Sequence, residues 1–143
     1  MKSLHTLLRV ARADLDTLRR ALADQIRKQS RVEERIRTHE QALKQEQQLA
    51  LRDYESARAY GGYAALALAG RRVLEAETQA IIAESERLRG LITEAHREMR
   101  KFERLLELEA ERAKKAADKR EAAELDEFAT LRAGRQSAIG SRQ

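Results

Sequence analysis

The sequence predicts an all-α protein, a long antiparallel two-helix coiled-coil hairpin with an overhanging C-terminal helix end. Three observations predict it. Strong helix formers dominate a chain without proline, the apolar residues follow two heptad-spaced seams, and one pair of adjacent glycines separates the seams. Charged residues make up 37% of the chain and aromatic residues 3%, which leaves little bulk for a thick core. We therefore expect one coiled-coil domain over residues 1–143.

The first predicted helix covers residues 4–59, with Ser3 as its candidate cap. Its seam positions are separated by alternating steps of four and three, the spacing of a coiled coil. They are Leu4, Leu8, Ala11, Leu15, Leu18, Leu22, Gln25, Gln29, Val32, Ile36, His39, Leu43, Glu46 and Ala50. We interpret the polar members of this seam as structural residues that set the register, not as ligands.

A turn is predicted at residues 60–63, where the sequence reads "YGGY". Glycine permits the positive φ angles of a tight reversal, and two adjacent glycines would cost a continuous helix about 2 kcal/mol. With Gly62 as the midpoint, Leu43 would face Ile81 and Ile36 would face Leu88. A slip of seven residues would satisfy the same heptads, so the heptad match does not fix the register, and the glycines favour the pairing around Gly62. The alternative is a long parallel homodimer with a kink at the glycines.

The second predicted helix covers residues 64–133, and Gly134 is its predicted stop before a disordered tail at 134–143. Its seam repeats the alternation of three and four. The positions are Leu74, Thr78, Ile81, Ser85, Leu88, Ile92, Ala95, Met99, Phe102, Leu106, Glu109, Ala113, Ala116 and Arg120. Under the Gly62 pairing, Leu4 faces Arg120, so residues 121–133 are predicted to extend as a lone helix.

This overhang carries the candidate binding residues. Leu125, Phe128 and Leu131 are spaced three apart on one face, with charged residues beside them. An exposed amphipathic helix with an aromatic anchor suits insertion into a groove or pore of another protein. The alternative is a helix end that packs back on Leu4, Leu7 and Leu8 or on a second copy of itself. The candidate set is Leu125, Asp126, Glu127, Phe128, Ala129, Leu131 and Arg132.

Catalytic signals are absent from the sequence. The three histidines, His5, His39 and His96, do not have the spacing of a zinc site, and no glycine-rich phosphate-binding loop is present. A thin seam offers no place to bury an acid or base with a shifted pKa. We expect no catalytic residue, no metal, no cofactor and no small-molecule substrate, so the protein is predicted not to be an enzyme.

The charge of the chain and its sequence features bear on two questions, whether it binds nucleic acid and where in the cell it is located. The net charge is +5 with a pI near 9.8, which raises the alternative of a basic helical nucleic-acid-binding protein. Pairs such as Asp16 with Arg20 and Glu40 with Lys44 lie four residues apart, so the charge reads as a self-paired helix surface and no nucleic acid is expected. The chain has no cysteine, its start does not resemble a signal peptide, and its longest apolar run is far shorter than about 20 residues. A cytoplasmic protein without direct membrane insertion is predicted.

The stretch "LDEFATLRAGR" at residues 125–135 resembles the C-terminal signature of the FliJ family of flagellar export proteins, in which Asp-Glu-Phe-Ala is followed by Arg-Ala and a further basic residue. The opening "SLHTLLRVA" is also similar to that family's start, and the length and the central turn agree.

The resemblance implies an antiparallel coiled coil similar to the central stalk of rotary ATPases. Its terminal end would insert into the hexameric export ATPase of a type III secretion apparatus, through Asp126, Glu127, Phe128, Ala129 and Arg132. It also implies promotion of ATPase assembly, escort of export chaperones, and contact with the export gate at the cytoplasmic face of the inner membrane. By position, the turn end would face the gate with Tyr54, Tyr60, Tyr63 and Leu66. A flagellar and a related secretion system both remain open, as does a generic coiled-coil adaptor.

Overall fold

The computed structural model describes residues 2–141 and contains two α-helices in this range. Helix α1 covers Lys2–Arg52 and helix α2 covers Tyr54–Ser141. The two helices pack against each other, and the described residues contain no strand. The predicted fold class, an all-α two-helix hairpin, is confirmed.

The chain reverses at Asp53, the single residue between the helices. The Asp53 N–H donates to the Leu49 carbonyl at 3.2 Å, and the Ala57 N–H donates to the Asp53 carbonyl at 3.0 Å. The Asp53 carboxylate accepts from the Glu55 N–H at 3.4 Å and from the Ser56 hydroxyl at 3.2 Å. An acidic N-cap satisfies free N–H groups and complements the helix dipole, so Asp53 begins α2. The predicted turn at residues 60–63, and with it the predicted bounds 4–59 and 64–133, is wrong.

Gly61 and Gly62 are helical residues in the first turns of α2. No glycine among the described residues has a positive φ. Glycine permits a left-handed turn but does not require one, and its cost within a helix, about 1 kcal/mol each, is small beside the packing of two long helices. The glycine pair therefore weakens α2 locally without ending it.

The Gly61→Ala variant is expected to unfold at higher urea concentration, with a gain of about 0.5–1 kcal/mol, because alanine restricts the unfolded chain and favours helix. A Cβ at Gly61 meets nothing within 4 Å. Gly70→Ala is the matched control, because its Cβ would lie 3.2 Å from His39 Cε1 and the ring would have to move. A loss of stability in Gly61→Ala would instead indicate a glycine turn.

The register follows from contacts across the helices. Arg35 Nη1 lies 3.0 Å from Glu77 Oε2, Arg71 pairs with Glu40, and His39 Nε2 lies 2.7 Å from the Ala67 carbonyl oxygen. The midpoint of each pair falls between residues 53 and 56, so the pairing predicted around Gly62 is wrong by about two heptads. The predicted seam residues from Leu4 to Ala50 and from Leu74 to Glu109 are nevertheless buried or half-buried, because a heptad pattern is unchanged by a slip of whole heptads. The last three predicted seam residues, Ala113, Ala116 and Arg120, are exposed, so this part of the predicted seam is wrong.

Val10–Arg97 forms one compact unit that contains the reversal. Val32, Leu74 and Ile81 are buried in contact with one another, and Ile36 packs against them. This small cluster is typical of a two-stranded coiled coil, in which one seam meets one seam. Together with the buried Leu15, Ala67 and Leu88 of the same unit, it supplies the apolar burial that holds this unit together.

The other unit comprises the described residues up to Arg9 and those from Glu98 onward. Leu8 is buried, Phe102 and Leu106 are half-buried, and the Lys101 ammonium lies 5.0 Å from the centre of the Phe102 ring. Every described side chain after Glu109 is exposed. The unpaired part of α2 thus begins at Ala110, not near residue 121 as predicted.

Helix α2 continues through Gly134 to Ser141. The predicted disordered tail at residues 134–143 is therefore wrong as far as residue 141, and Arg142 and Gln143 lie outside the described residues. Gly134 keeps a helical φ, and the residues after it include no proline to stop the helix.

The ion pair between Glu40 and Arg71 gives the hairpin an acid-sensitive contact. Hydrogen bonding from Arg71 and its positive charge hold the pKa of Glu40 below the ordinary value of 4.5. A lowered carboxyl pKa stabilises the folded state above the unfolded-state pKa, and this contribution is lost as the pH falls through the folded-state pKa. Glu40→Gln is therefore expected to unfold with a shallower loss of stability below about pH 4.5.

Urea unfolding followed by circular dichroism over an acid pH series measures this difference. Glu34→Gln is the matched control, because Glu34 is exposed on the same helix and has no ion-pair partner among residues 2–141. Equal acid dependence in both variants would contradict a stabilising role for the Glu40 contact.

Candidate partner-binding site

Residues 110–141 form the part of α2 that α1 does not cover, called here the C-terminal extension. The described side chains in it are all exposed. Alanine and long polar side chains dominate its first half, so helix propensity favours it, but a lone helix remains marginal in water. It is ordered most effectively when another molecule covers one face.

The apolar residues of the extension lie on one side. Leu125 and Phe128 are each 63% exposed, and Leu131 is 60% exposed. At 100° per residue these three side chains span an arc of about 120°. Arg132 lies one turn beyond Phe128 on the same arc. These four residues are called the docking face.

The acidic members of the predicted set lie on other sides of the helix. Asp126 and Glu127 follow Leu125 at about 100° and 200° around the axis, and Ala129 borders the docking face. The Thr130 hydroxyl donates to the Asp126 backbone carbonyl at 2.9 Å, so the Thr130 side chain is hydrogen-bonded within α2. The extension therefore presents an apolar arc that begins beside Glu121 and Glu124, with Glu127 at its border and Asp126 behind it.

Charge is sorted along the extension. Five basic residues come first, four acidic residues follow, and two arginines come last, of which the first belongs to the docking face. In order they are Arg112, Lys114, Lys115, Lys119 and Arg120, then Glu121, Glu124, Asp126 and Glu127, then Arg132 and Arg135, with Glu111 before the basic block and Asp118 within it. Such blocks can orient the helix in a partner of complementary charge.

The seven candidate residues at 125–132 all lie on the exposed extension, as the sequence predicts. Ile139, 64% exposed, was missed because residues 134–143 were assigned to a tail. Its signal is the spacing Phe128, Arg132, Arg135, Ile139, with steps of four, three and four that continue the docking face.

The second candidate set is not brought together at the turn. Tyr54 follows the reversal directly and is 80% exposed, but Tyr60, Tyr63 and Leu66 lie further along α2. Tyr60 and Tyr63 are half-buried and Leu66 is exposed. With the reversal at Asp53 instead of residue 62, Tyr54 is the member of this set that adjoins the reversal. The expected grouping of the four residues around the turn is therefore wrong, and their contact with the export gate stays a prediction.

The described residues offer little support for a metal site or a membrane-spanning segment. Within residues 2–141 no three His, Asp or Glu side chains cluster as metal ligands would. His39 donates its Nε2–H to the Ala67 carbonyl, since a carbonyl only accepts, and so ties α1 to α2. Neither helix, over the described range, has a segment apolar and long enough to cross a bilayer.

The fold and the site define a class of protein, a two-helix coiled-coil hairpin with an exposed helical extension. Comparison with known proteins found no matching family model, no similar curated protein and no similar solved structure. The geometry of the extension and its sequence signature therefore carry the functional argument.

Proposed function

We propose that this protein is a FliJ-like component of a type III protein export apparatus, a stalk that docks its C-terminal extension into the hexameric export ATPase. The observation that carries the proposal is Phe128, 63% exposed at the centre of the docking face and within the signature that resembles this family. Burying such a ring against a partner is worth about 1.5–3 kcal/mol.

The construction suits such a stalk. The paired part of the hairpin supports α2 through its seam, and the extension carries only α2, so it is slim enough to enter a groove or central pore. Contact with several similar subunits in turn calls for modest individual contacts, and the charged outer faces supply these. ATP hydrolysis belongs to the partner, and this chain acts without catalytic residues or cofactors.

The wider role follows the same resemblance. The protein promotes assembly and activity of the ATPase, escorts export chaperones, and meets the export gate at the cytoplasmic face of the inner membrane, in flagellum biogenesis and motility or a related secretion system. With the reversal at Asp53, Tyr54 is the gate-facing aromatic residue at that end, and Leu66 lies on the side of the hairpin.

Co-sedimentation with a purified hexameric export ATPase tests the proposal. The full chain is expected to bind and to raise ATP hydrolysis, whereas a chain that ends at Glu109 is expected to lose both and keep the helicity of the paired region. Equal binding by the shortened chain would move the site to the hairpin. Absence of binding by the full chain would leave a structural adaptor without this partner.

A further inference from the structure

Helix α2 has a second apolar seam that α1 leaves exposed. Seven positions are separated by steps of four and three, and all seven are apolar and exposed. They are Gly62, Leu66, Ala69, Val73, Ala76, Ala80 and Ala83. This set, called the outer seam, includes two large side chains, Leu66 at 75% and Val73 at 65% exposure.

The outer seam lies on a different side of α2 from the covered one. Ala67, Leu74 and Ile81 are buried against α1, and at 100° per residue the centre of the outer seam lies about 130° around the helix from them. Over residues 62–83, α2 is therefore apolar on two sides, although 37% of the chain is charged. Burial by α1 explains only one of these sides.

The spacing identifies the type of partner. Alternating steps of three and four keep one face of a helix in line with a second helix that runs alongside. A second helix therefore matches this spacing better than a flat or globular surface does. Alanine and glycine at five of the positions allow two helix backbones to approach closely. The outer seam is thus built for a helix aligned with α2.

The flanking charges identify which helix. Arg72 precedes Val73 and Glu77 follows Ala76, the two positions at which parallel coiled coils form pairs between residue i of one helix and i+5 of the other. In a parallel, in-register pair of α2 helices, Arg72 meets Glu77 of the second copy, twice by symmetry. An antiparallel pair centred on residues 62–83 would bring Arg72 against Arg72 or Gln79 of the second copy, with no attraction.

Both charges are able to form this contact. Arg72 is exposed and has no ion-pair partner among the described residues. Glu77 receives Arg35 at 3.0 Å, yet its side chain remains 43% exposed, and a carboxylate accepts more than one guanidinium N–H. A bridge from Arg35 through Glu77 to the second copy's Arg72 follows.

We propose that the protein forms a parallel homodimer through the outer seam of α2, with Leu66, Val73 and Ala76 in contact with their counterparts. This inference concerns residues 62–83 and is independent of the docking face. Because α1 already orders α2, dimer formation costs little further conformational entropy.

Sedimentation equilibrium of the full chain over about 1–500 μM tests it. The mass is expected to rise from 16.4 kDa toward twice that value. Ala76→Glu is expected to raise the dissociation constant about 10-fold or more, because it places unpaired carboxylates in an apolar seam. Ala13→Glu, at an exposed alanine of α1 outside both seams, is the matched control and is expected to leave the constant unchanged.

Orientation is measured with single cysteines, since the chain has none. Ala69→Cys is expected to form a disulfide between two copies, because parallel helices place position 69 beside itself, whereas Ala13→Cys is expected to dimerise without forming a disulfide between the copies. A mass of one chain at every concentration overturns the proposal and assigns the seam to a helix of another protein. The proposal is also overturned if Ala76→Glu leaves the dissociation constant unchanged, or if Ala69→Cys forms no more disulfide between copies than Ala13→Cys does.

Discussion

Replacing Val32 with aspartate is expected to destabilise the hairpin by about 3–5 kcal/mol, because the carboxylate would lie unpaired among Leu74 and Ile81. Val32 is only 3% exposed. A two-helix seam is thin, so few other side chains keep water away from this position. We therefore expect the whole unit Val10–Arg97 to lose stability. Urea unfolding followed by circular dichroism measures this loss.

Val10→Asp is the matched control for this result. The substitution and the helix are the same, but Val10 is 51% exposed, so we expect a loss within about 1 kcal/mol. Comparable losses in the two variants would mean that the buried cluster around Val32 does not hold the helices together.

Phe128→Ala is expected to lower both the affinity for the export ATPase and its stimulation by about 10-fold or more, under the proposed function. Aromatic residues at the centre of an interface commonly account for 2 kcal/mol or more of binding. The chain itself should not change, because Phe128 lies on the uncovered extension and alanine is the better helix former. Circular dichroism and ATP hydrolysis with titrated protein provide the two measurements.

Tyr54→Ala is the control for the loss of an exposed aromatic ring. Tyr54 is 80% exposed next to the reversal and lies outside the extension, so stimulation should be unaffected. If Phe128→Ala stimulates the ATPase as well as the unsubstituted chain, the docking face is not the binding site. If both variants fail alike, the effect is not specific to the extension.

The place of the reversal and the register of the helices were both predicted wrongly, and for the same reason. The sequence was interpreted from its glycines, which permit a reversal, whereas the structure reverses at a residue that promotes a helix start. The local signal was present in "RDYES", where Asp53 precedes Glu55 and Ser56 as an N-cap does. The glycine pair costs a helix about 2 kcal/mol, which is small beside the packing of two long helices, so the glycines do not end α2.

For the C-terminal extension, the exposed apolar face was predicted more accurately than the residue at which the extension begins. The amphipathic arrangement of Leu125, Phe128 and Leu131 follows from a helical period of 3.6 residues, so their shared exposure needed no knowledge of the partner helix. Where the extension begins depends on which residue of α2 lies beside the start of α1. That depends on the register, and moving the reversal to Asp53 lengthened the unpaired helix by about eleven residues, from 121 back to 110.

By itself, the sequence determined the helical state of this chain, the two seams that face each other and the side of α2 on which Phe128 lies, because each depends on propensity and on spacing along a single helix. The tertiary structure decided the place of reversal, the pairing of Arg35 with Glu77 and the exposure of the outer seam. A heptad pattern is the same after a slip of seven residues, so only the turn geometry and the contacts between helices distinguish one register from the next.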